Sequence, residues 1–212
     1  MLNTSVELKK FKRKILVRYT TMRFAGEIMI DGIGAKIYIF KNLFSERQLK
    51  MIRDGIDEHH HIKETYSNNH NVLANSCDLK DFNNRDEIES ITMNALEYIR
   101  DYMSKYFGVK SEINKDVIQF RHIYGKTTLH RDGPISDTNL SSKHIRMFSV
   151  ILGLNDNFKG GELHFPEFDN FRMKVGAGDA ILFPPYWTHV HGTTDLIDGT
   201  SRYTINTWFE HG

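Results

Sequence analysis

From residue 116 onward the chain reads as seven short β-rich runs, at 116–124, 145–154, 162–165, 171–175, 179–184, 188–194 and 202–209. Glycine-rich or polar turns part them, among them Lys159-Gly160-Gly161 and Gly176-Ala177-Gly178-Asp179. Many short strands with regular turns predict a β-sandwich or barrel. The 212 residues suffice for one sizeable core, so residues 1–212 are expected to form one domain.

The first half has a different texture. Residues 1–35 are basic and then dotted with Gly26, Gly32 and Gly34, and read as short strands and turns. Lys36–Phe40 reads as a strand. Ser45 is placed to cap a helix, with Gln48 three residues on for a capping box, and Leu49, Ile52 and Ile56 fall on one face of it. His59, His60 and His61 end that helix. Consecutive helical residues point in different directions, so the three read as solvated histidines rather than a metal tract. Residues 62–85 are rich in Asn, Asp and Ser and read as a long loop. A second helix is expected from Asn84, with Glu87 for a capping box, a stripe of Ile88, Ile91, Ala95, Tyr98 and Tyr102, and a stop at Gly108. Both helices should pack on the outside of one sheet. The expected class is therefore α+β, mostly β, with N-terminal strands and supporting helices in 1–115 and the β core in 116–209.

Charge narrows the partners. The formal net charge is +1, which disfavours bulk attraction to nucleic acid. Lys9, Lys10, Lys12, Arg13, Lys14, Arg18 and Arg23 crowd the N-terminus against Glu7 alone, and read first as a solvated basic face, with contact to an anionic partner as the alternative. Cys77 is the only cysteine, so no intrachain disulfide is possible. No apolar run reaches membrane-spanning length. A cytoplasmic location is the expectation, with no membrane partner.

The candidate chemistry sits in three fragments. His130 and Asp132 are two apart, so an extended segment puts both on one face. An imidazole beside a hard carboxylate suits Fe(II), Mn(II) or Zn(II). H-x-D alone is common by chance. Thr188-His189-Val190-His191 offers two candidates for a third ligand on one strand face. His191 lies eleven residues before Arg202 and His189 thirteen before it. If the two strands form a hairpin, the shorter connection favours His191, leaving His189 as the alternative or as a pocket residue. Arg202, Thr204, Asn206 and Trp208 alternate on one face of the last strand. An arginine there suits a bidentate grip on a carboxylate.

Taken in order, these fragments resemble the prolyl 4-hydroxylase-like 2-oxoglutarate/Fe(II) dioxygenases. The motifs are Tyr124-Gly125 through His130-Arg131-Asp132, then Phe148–Asn155, Gly160–Pro166, Gly178–Phe183, His191-Gly192 and Gly199–Trp208. The resemblance implies a double-stranded β-helix (jelly-roll) core. It implies Fe(II) held by His130, Asp132 and His191, and 2-oxoglutarate held through its far carboxylate by Arg202. It places Tyr124, Asn206 and Trp208 along the cosubstrate pocket, and adds O2 and, as an accessory, ascorbate. The family's basic anchor commonly follows the histidine by nine or ten residues and is often Lys, so the later Arg202 departs from that pattern.

The implied activity is hydroxylation of an unactivated C–H bond, with a prolyl residue in a peptide or protein as the first substrate class. A free amino acid or other small molecule is the alternative. Two further readings are a non-catalytic 2-oxoglutarate-binding module and a zinc hydrolase, since the ligands alone also suit zinc. Runs 147–152 and 180–183 are expected to wall the pocket, and Gly133–Lys143 to form a lid. Oligomeric state is left open.

Overall fold

The computed structural model describes residues 24–30, 33–59, 63–65, 73–133 and 145–211. The basic residues up to Arg23, His60 and His61, and all but Gly133 of the expected lid lie outside the described residues.

In chain order the elements are β1 (Phe24–Ile30), β2 (Ile33–Phe40), α1 (Glu46–Glu58), β3 (Lys63–Thr65), β4 (Leu73–Asp78), α2 (Arg85–Phe107), β5 (Glu112–Ile113), β6 (Gln119–Ile123) and β7 (Ile145–Gly153). There follow β8 (Lys159–Gly160), β9 (Leu163–Phe165), β10 (Phe171–Met173), β11 (Ala180–Phe183), β12 (Gly192–Thr193), β13 (Leu196–Ile197) and β14 (Arg202–His211). The major sheet runs β1-β2-β11-β7-β14-β6-β4-β3, with β5 also on β14. A minor sheet runs β10-β9-β12. The two sheets form the double-stranded β-helix that the strand pattern and motif order predict.

The helices form for the reasons their sequences give. Ser45 and Gln48 close the capping box on α1, which buries Leu49, Ile52 and Ile56. Gly108 ends α2 at φ 69°, a left-handed value that costs glycine little. Both helices lie on one face of the major sheet. Ile52, Leu96, Ile99 and Met103 are fully shielded there with Phe120, Leu152, Ile205 and Phe209. The opposite face, with Ile37, Ile181 and Phe183, packs on Leu163, Phe165 and Phe171 of the minor-sheet side. β11 shows the division, since Ala180 and Leu182 face the helices while Ile181 and Phe183 face the minor sheet.

Several expectations are corrected. The stretch 62–85 is not one loop, because β3 and β4 extend the major sheet beyond β6 and a 3-10 turn follows at Leu79–Asp81. Asn84 precedes α2 but its side chain makes no capping bond. Residues 188–194 and 202–209 do not form a hairpin. β12 pairs with β9, whereas β14 inserts between β6 and β7. Tyr203 anchors that central strand to α1, its hydroxyl donating to Asp57 at 2.8 Å.

Candidate active site

Period-2 alternation sorts β6, β14 and β7 into a core face and a cavity face. Phe120, Ile205 and Phe209 go into the core. Gln119, Arg121 and Ile123, then Arg202, Thr204, Asn206 and Trp208, then Ser149 and Ile151, line one cavity. The register sets Thr204 opposite Arg121, Asn206 opposite Gln119, and Trp208 opposite Ser149. The cavity measures about 220 Å³. That is below the ~300–1,000 Å³ of drug-sized ligand sites, so it suits a metabolite-sized acid.

His130, Asp132 and His191 meet at the same cavity, with one ligand atom of each within 4.8 Å of the others. The backbone brings them together. His130 N–H donates to the His191 carbonyl at 2.8 Å, and His191 N–H returns the bond at 2.9 Å. Gly192 permits the approach, because a Cβ there would lie 2.8 Å from the Thr127 carbonyl oxygen. Gly133 N–H on the Pro185 carbonyl, at 3.0 Å, ties the segment after Asp132 to the loop before His191.

Each imidazole is turned by its Nδ1. That of His130 lies 2.9 Å from the Thr128 carbonyl, and that of His191 lies 3.0 Å from the His189 carbonyl. A carbonyl only accepts, so both Nδ1 atoms carry a proton and both Nε2 atoms are turned toward the Asp132 carboxylate. The separations are 3.3 Å from His130 Nε2 to Asp132 Oδ1 and 3.8 Å from His191 Nε2 to Oδ2. Ligands about 2 Å from a shared cation stand at such distances. Asp132 is itself held: Oδ2 accepts from the Ser149 hydroxyl and, at 3.1 Å, from Trp208 Nε1. Arg146 stacks 3.8 Å over the Trp208 ring and donates to the Asp132 carbonyl.

Electrostatics fit a cation-binding trio. Burial pushes the His191 imidazole down to about 4, so it is neutral and ready to coordinate. Burial also presses on His130, but the hydrogen bond and charge of Asp132 outweigh it and raise that imidazole. Burial would raise Asp132, yet the His130 hydrogen bond and the charges of His191 and His130 hold it well below the usual carboxylate range.

Arg202 is 6% exposed. Its Nε has no hydrogen-bond partner among the described residues. Nη1 and Nη2 reach the Gly161 carbonyl and the Thr127 hydroxyl only at 3.5 Å, the limit of a hydrogen bond. Burial, and then the charge of Arg121, lower it to about 10, so it remains a cation at neutral pH. A buried guanidinium with an unpartnered nitrogen facing a cavity is fitted to receive a carboxylate.

His189 and Tyr124 go elsewhere. His189 Nε2 bonds the Ala35 carbonyl at 2.9 Å and its ring packs near Phe168. The 188–190 segment is not a strand, so the two histidines do not share a face as expected. Tyr124 is exposed, with its hydroxyl 2.9 Å from His122 Nδ1 and 3.2 Å from Asn75 Nδ2, and it does not line the cavity. Parity explains this: Arg121 and Ile123 face the cavity, so the next residue points away. Residues 180–183 likewise do not wall it, being divided between the two cores. The sequence reading passed over Arg121, Ser149 and Arg146. The polar Ser149 inside the apolar run Phe148–Leu152, and Gln119 and Arg121 alternating on one strand, were the available signals.

The comparisons with known proteins agree with this geometry. Residues 118–210 match the family model of the 2OG-Fe(II) oxygenase superfamily. A search of the curated proteins gives no match. Among solved structures, a viral collagen prolyl hydroxylase from Paramecium Bursaria Chlorella virus-1, in complex with 2OG, aligns with TM-score 0.62 at 14% identity over 87% of this chain and 99% of that one. A Pseudomonas putida prolyl-4-hydroxylase aligns with TM-score 0.59 at 13% identity, over 84% of this chain and 93% of its own. A Trichoplax adhaerens prolyl hydroxylase, in complex with a hypoxia inducible factor peptide fragment, gives TM-score 0.65 at 14% identity, over 82% and 83%. At these identities the likeness is one of fold.

Proposed function

We propose that the chain is a 2-oxoglutarate- and Fe(II)-dependent dioxygenase that hydroxylates an unactivated C–H bond, with a prolyl residue in a peptide or protein as its substrate. The observation that carries this reading is the convergence of His130 Nε2, His191 Nε2 and the Asp132 carboxylate in the cavity that also holds the buried Arg202. His130, Asp132 and His191 would hold the metal, leaving its other positions open. Bound Fe(II), with 2-oxoglutarate and O2, supplies the oxidising power that no side chain of the protein has.

The chain's own residues do the placing. The Thr128 and His189 carbonyls keep the protons on Nδ1. Ser149 and Trp208 hold one oxygen of Asp132 and leave the other on the His130 side. Phe183, 4.6 Å from the His191 ring, and Phe165 keep water from behind it. Arg202 would take the far carboxylate of 2-oxoglutarate, with Asn206 and Trp208 on the same wall.

A peptide substrate is supported by the Trichoplax adhaerens relative of this fold, which is a prolyl hydroxylase holding a peptide. It is also supported by Leu129 and Trp187, which are 54% and 71% exposed on the two loops that carry the ligands. The second reading, a free amino acid or other small acid, is favoured by the cavity's size and by its Arg121, Arg131, Arg146 and Arg202 wall. Among the described residues no helix is long and apolar enough to cross a membrane, and the lone Cys77 is a buried thiol, in keeping with a cytoplasmic setting. The two substrate readings separate in a screen of prolyl peptides against amino and hydroxy acids with the Fe(II)-loaded protein. A prolyl peptide that stimulates succinate release and gains one oxygen atom supports the proposal. Stimulation by small acids alone replaces it with the second reading.

A further inference from the structure

Arg121 is a cavity cation for which the chemistry above has no use. It stands on β6 directly opposite Thr204 of β14, while Arg202 stands opposite Ile123. Arg121 and Arg202 are therefore diagonal neighbours on one face of two paired strands. Such positions lie about 7–8 Å apart at the backbone, within reach of long side chains. Both line the cavity. The charge of Arg121 is felt at Arg202, where it adds to burial in lowering the guanidinium. Gln119, the next residue on the same face, accepts a hydrogen bond from Arg121 Nη2 and so fixes the direction of the fork.

Two cations turned into one small cavity favour an anion placed between them. A carboxylate has about four lone-pair sites, so it can serve two guanidiniums at once. The Arg202 Nε is still without a partner among the described residues. Building on the dioxygenase reading, we propose that the distal carboxylate of 2-oxoglutarate is held between Arg202 and Arg121. Arg121 is then a second cosubstrate-binding residue, and it makes the site select 2-oxo acids that end in a carboxylate.

The test is calorimetric titration of the Fe(II)-loaded protein without oxygen, so no turnover enters. The ligands are 2-oxoglutarate and 2-oxopentanoate, which has a methyl group in place of the distal carboxylate. The proteins are the parent, Arg121→Met, Arg121→Lys and Arg202→Met, each checked by thermal unfolding. Arg121→Met should weaken 2-oxoglutarate by about tenfold or more, the loss of one hydrogen bond to a charged group. It should leave 2-oxopentanoate unchanged. Arg121→Lys, which keeps the charge and loses the fork, should fall between parent and Met. If Arg121→Met binds 2-oxoglutarate like the parent, or weakens both acids alike as a merely structural residue would, the two-arginine grip is wrong. Arg202→Met tests the underlying reading separately. If it keeps full preference for 2-oxoglutarate, the anchor itself is misassigned. If it loses that preference while Arg121→Met does not, only the role of Arg121 falls.

Discussion

Arg202→Met should act with opposite sign on the empty and the loaded protein. In the resting fold the guanidinium is 6% exposed and, among the described residues, its Nε has no partner and its other nitrogens reach two acceptors at 3.5 Å. Its lowering from 12.5 to about 10 corresponds to about 3 kcal/mol of unfavourable charge burial. Methionine removes that cost but packs imperfectly, which returns about 1–2 kcal/mol. The net gain of about 1–2 kcal/mol should raise the melting temperature of the metal-free, ligand-free protein by roughly 2–8 °C for a chain of this size. With 2-oxoglutarate at a hundred times its Kd, the metal-loaded parent gains about 2.7 kcal/mol, or roughly 5–11 °C. Losing a bidentate charge-assisted pair costs about 3 kcal/mol or more, a hundredfold in affinity. The same concentration then adds only about 0.4 kcal/mol to the variant, or roughly 1 °C. Differential scanning calorimetry of both proteins, with and without 2-oxoglutarate, reads all four numbers. A variant that melts several degrees lower when empty shows that Arg202 is satisfied in the resting fold. One that keeps the full ligand-induced rise shows that the carboxylate is held elsewhere.

Three further outcomes follow from the site. His191→Ala should lose Fe(II) binding in anaerobic titration, whereas His189→Ala should keep it while melting at lower temperature, because His189 bonds the Ala35 carbonyl rather than facing the cavity. Trp208→Phe removes the Nε1 donor to Asp132 but keeps a ring beneath Arg146, and should weaken Fe(II) by about ten- to a hundredfold, the usual cost of losing a ligand's hydrogen-bond partner. Protons compete with metal for His130 Nε2, whose basicity Asp132 raises above the usual 6.5. Apparent Fe(II) affinity measured from pH 8 to 5.5 should therefore fall with acidification, with an onset above the usual imidazole range. A flat profile would exclude His130 as a ligand.

The sequence made legible what depends on period and punctuation. The Ser45–Gln48 cap, the Gly108 stop and the cavity face of Arg202, Thr204, Asn206 and Trp208 all follow from spacing within one element. What it hid depends on which strands become neighbours. β14 pairs with β6 and β7, far off in sequence, so a loop-length argument about residues 188–202 addressed a hairpin that does not form. His191 is brought to the trio instead by its backbone bridge to His130. Tyr124 illustrates the same limit at one residue. Its motif position suggested the cavity, but β6 parity turns it outward onto His122. The strands β3 and β4 were hidden because an Asn- and Ser-rich edge segment lacks the apolar alternation that marks a strand, and pairing with β6 supplies its order.

The most direct measurement is succinate formation from 2-oxoglutarate in air by the Fe(II)-loaded protein, run beside Asp132→Ala. Slow succinate release is expected without any added substrate, dependent on Fe(II), 2-oxoglutarate and O2 together. No release is expected from Asp132→Ala, whose unfolding transition should remain cooperative. A Fe(II)-loaded parent that neither binds 2-oxoglutarate without oxygen nor releases succinate with it would contradict the account, as would an Asp132→Ala variant that turns over as the parent does.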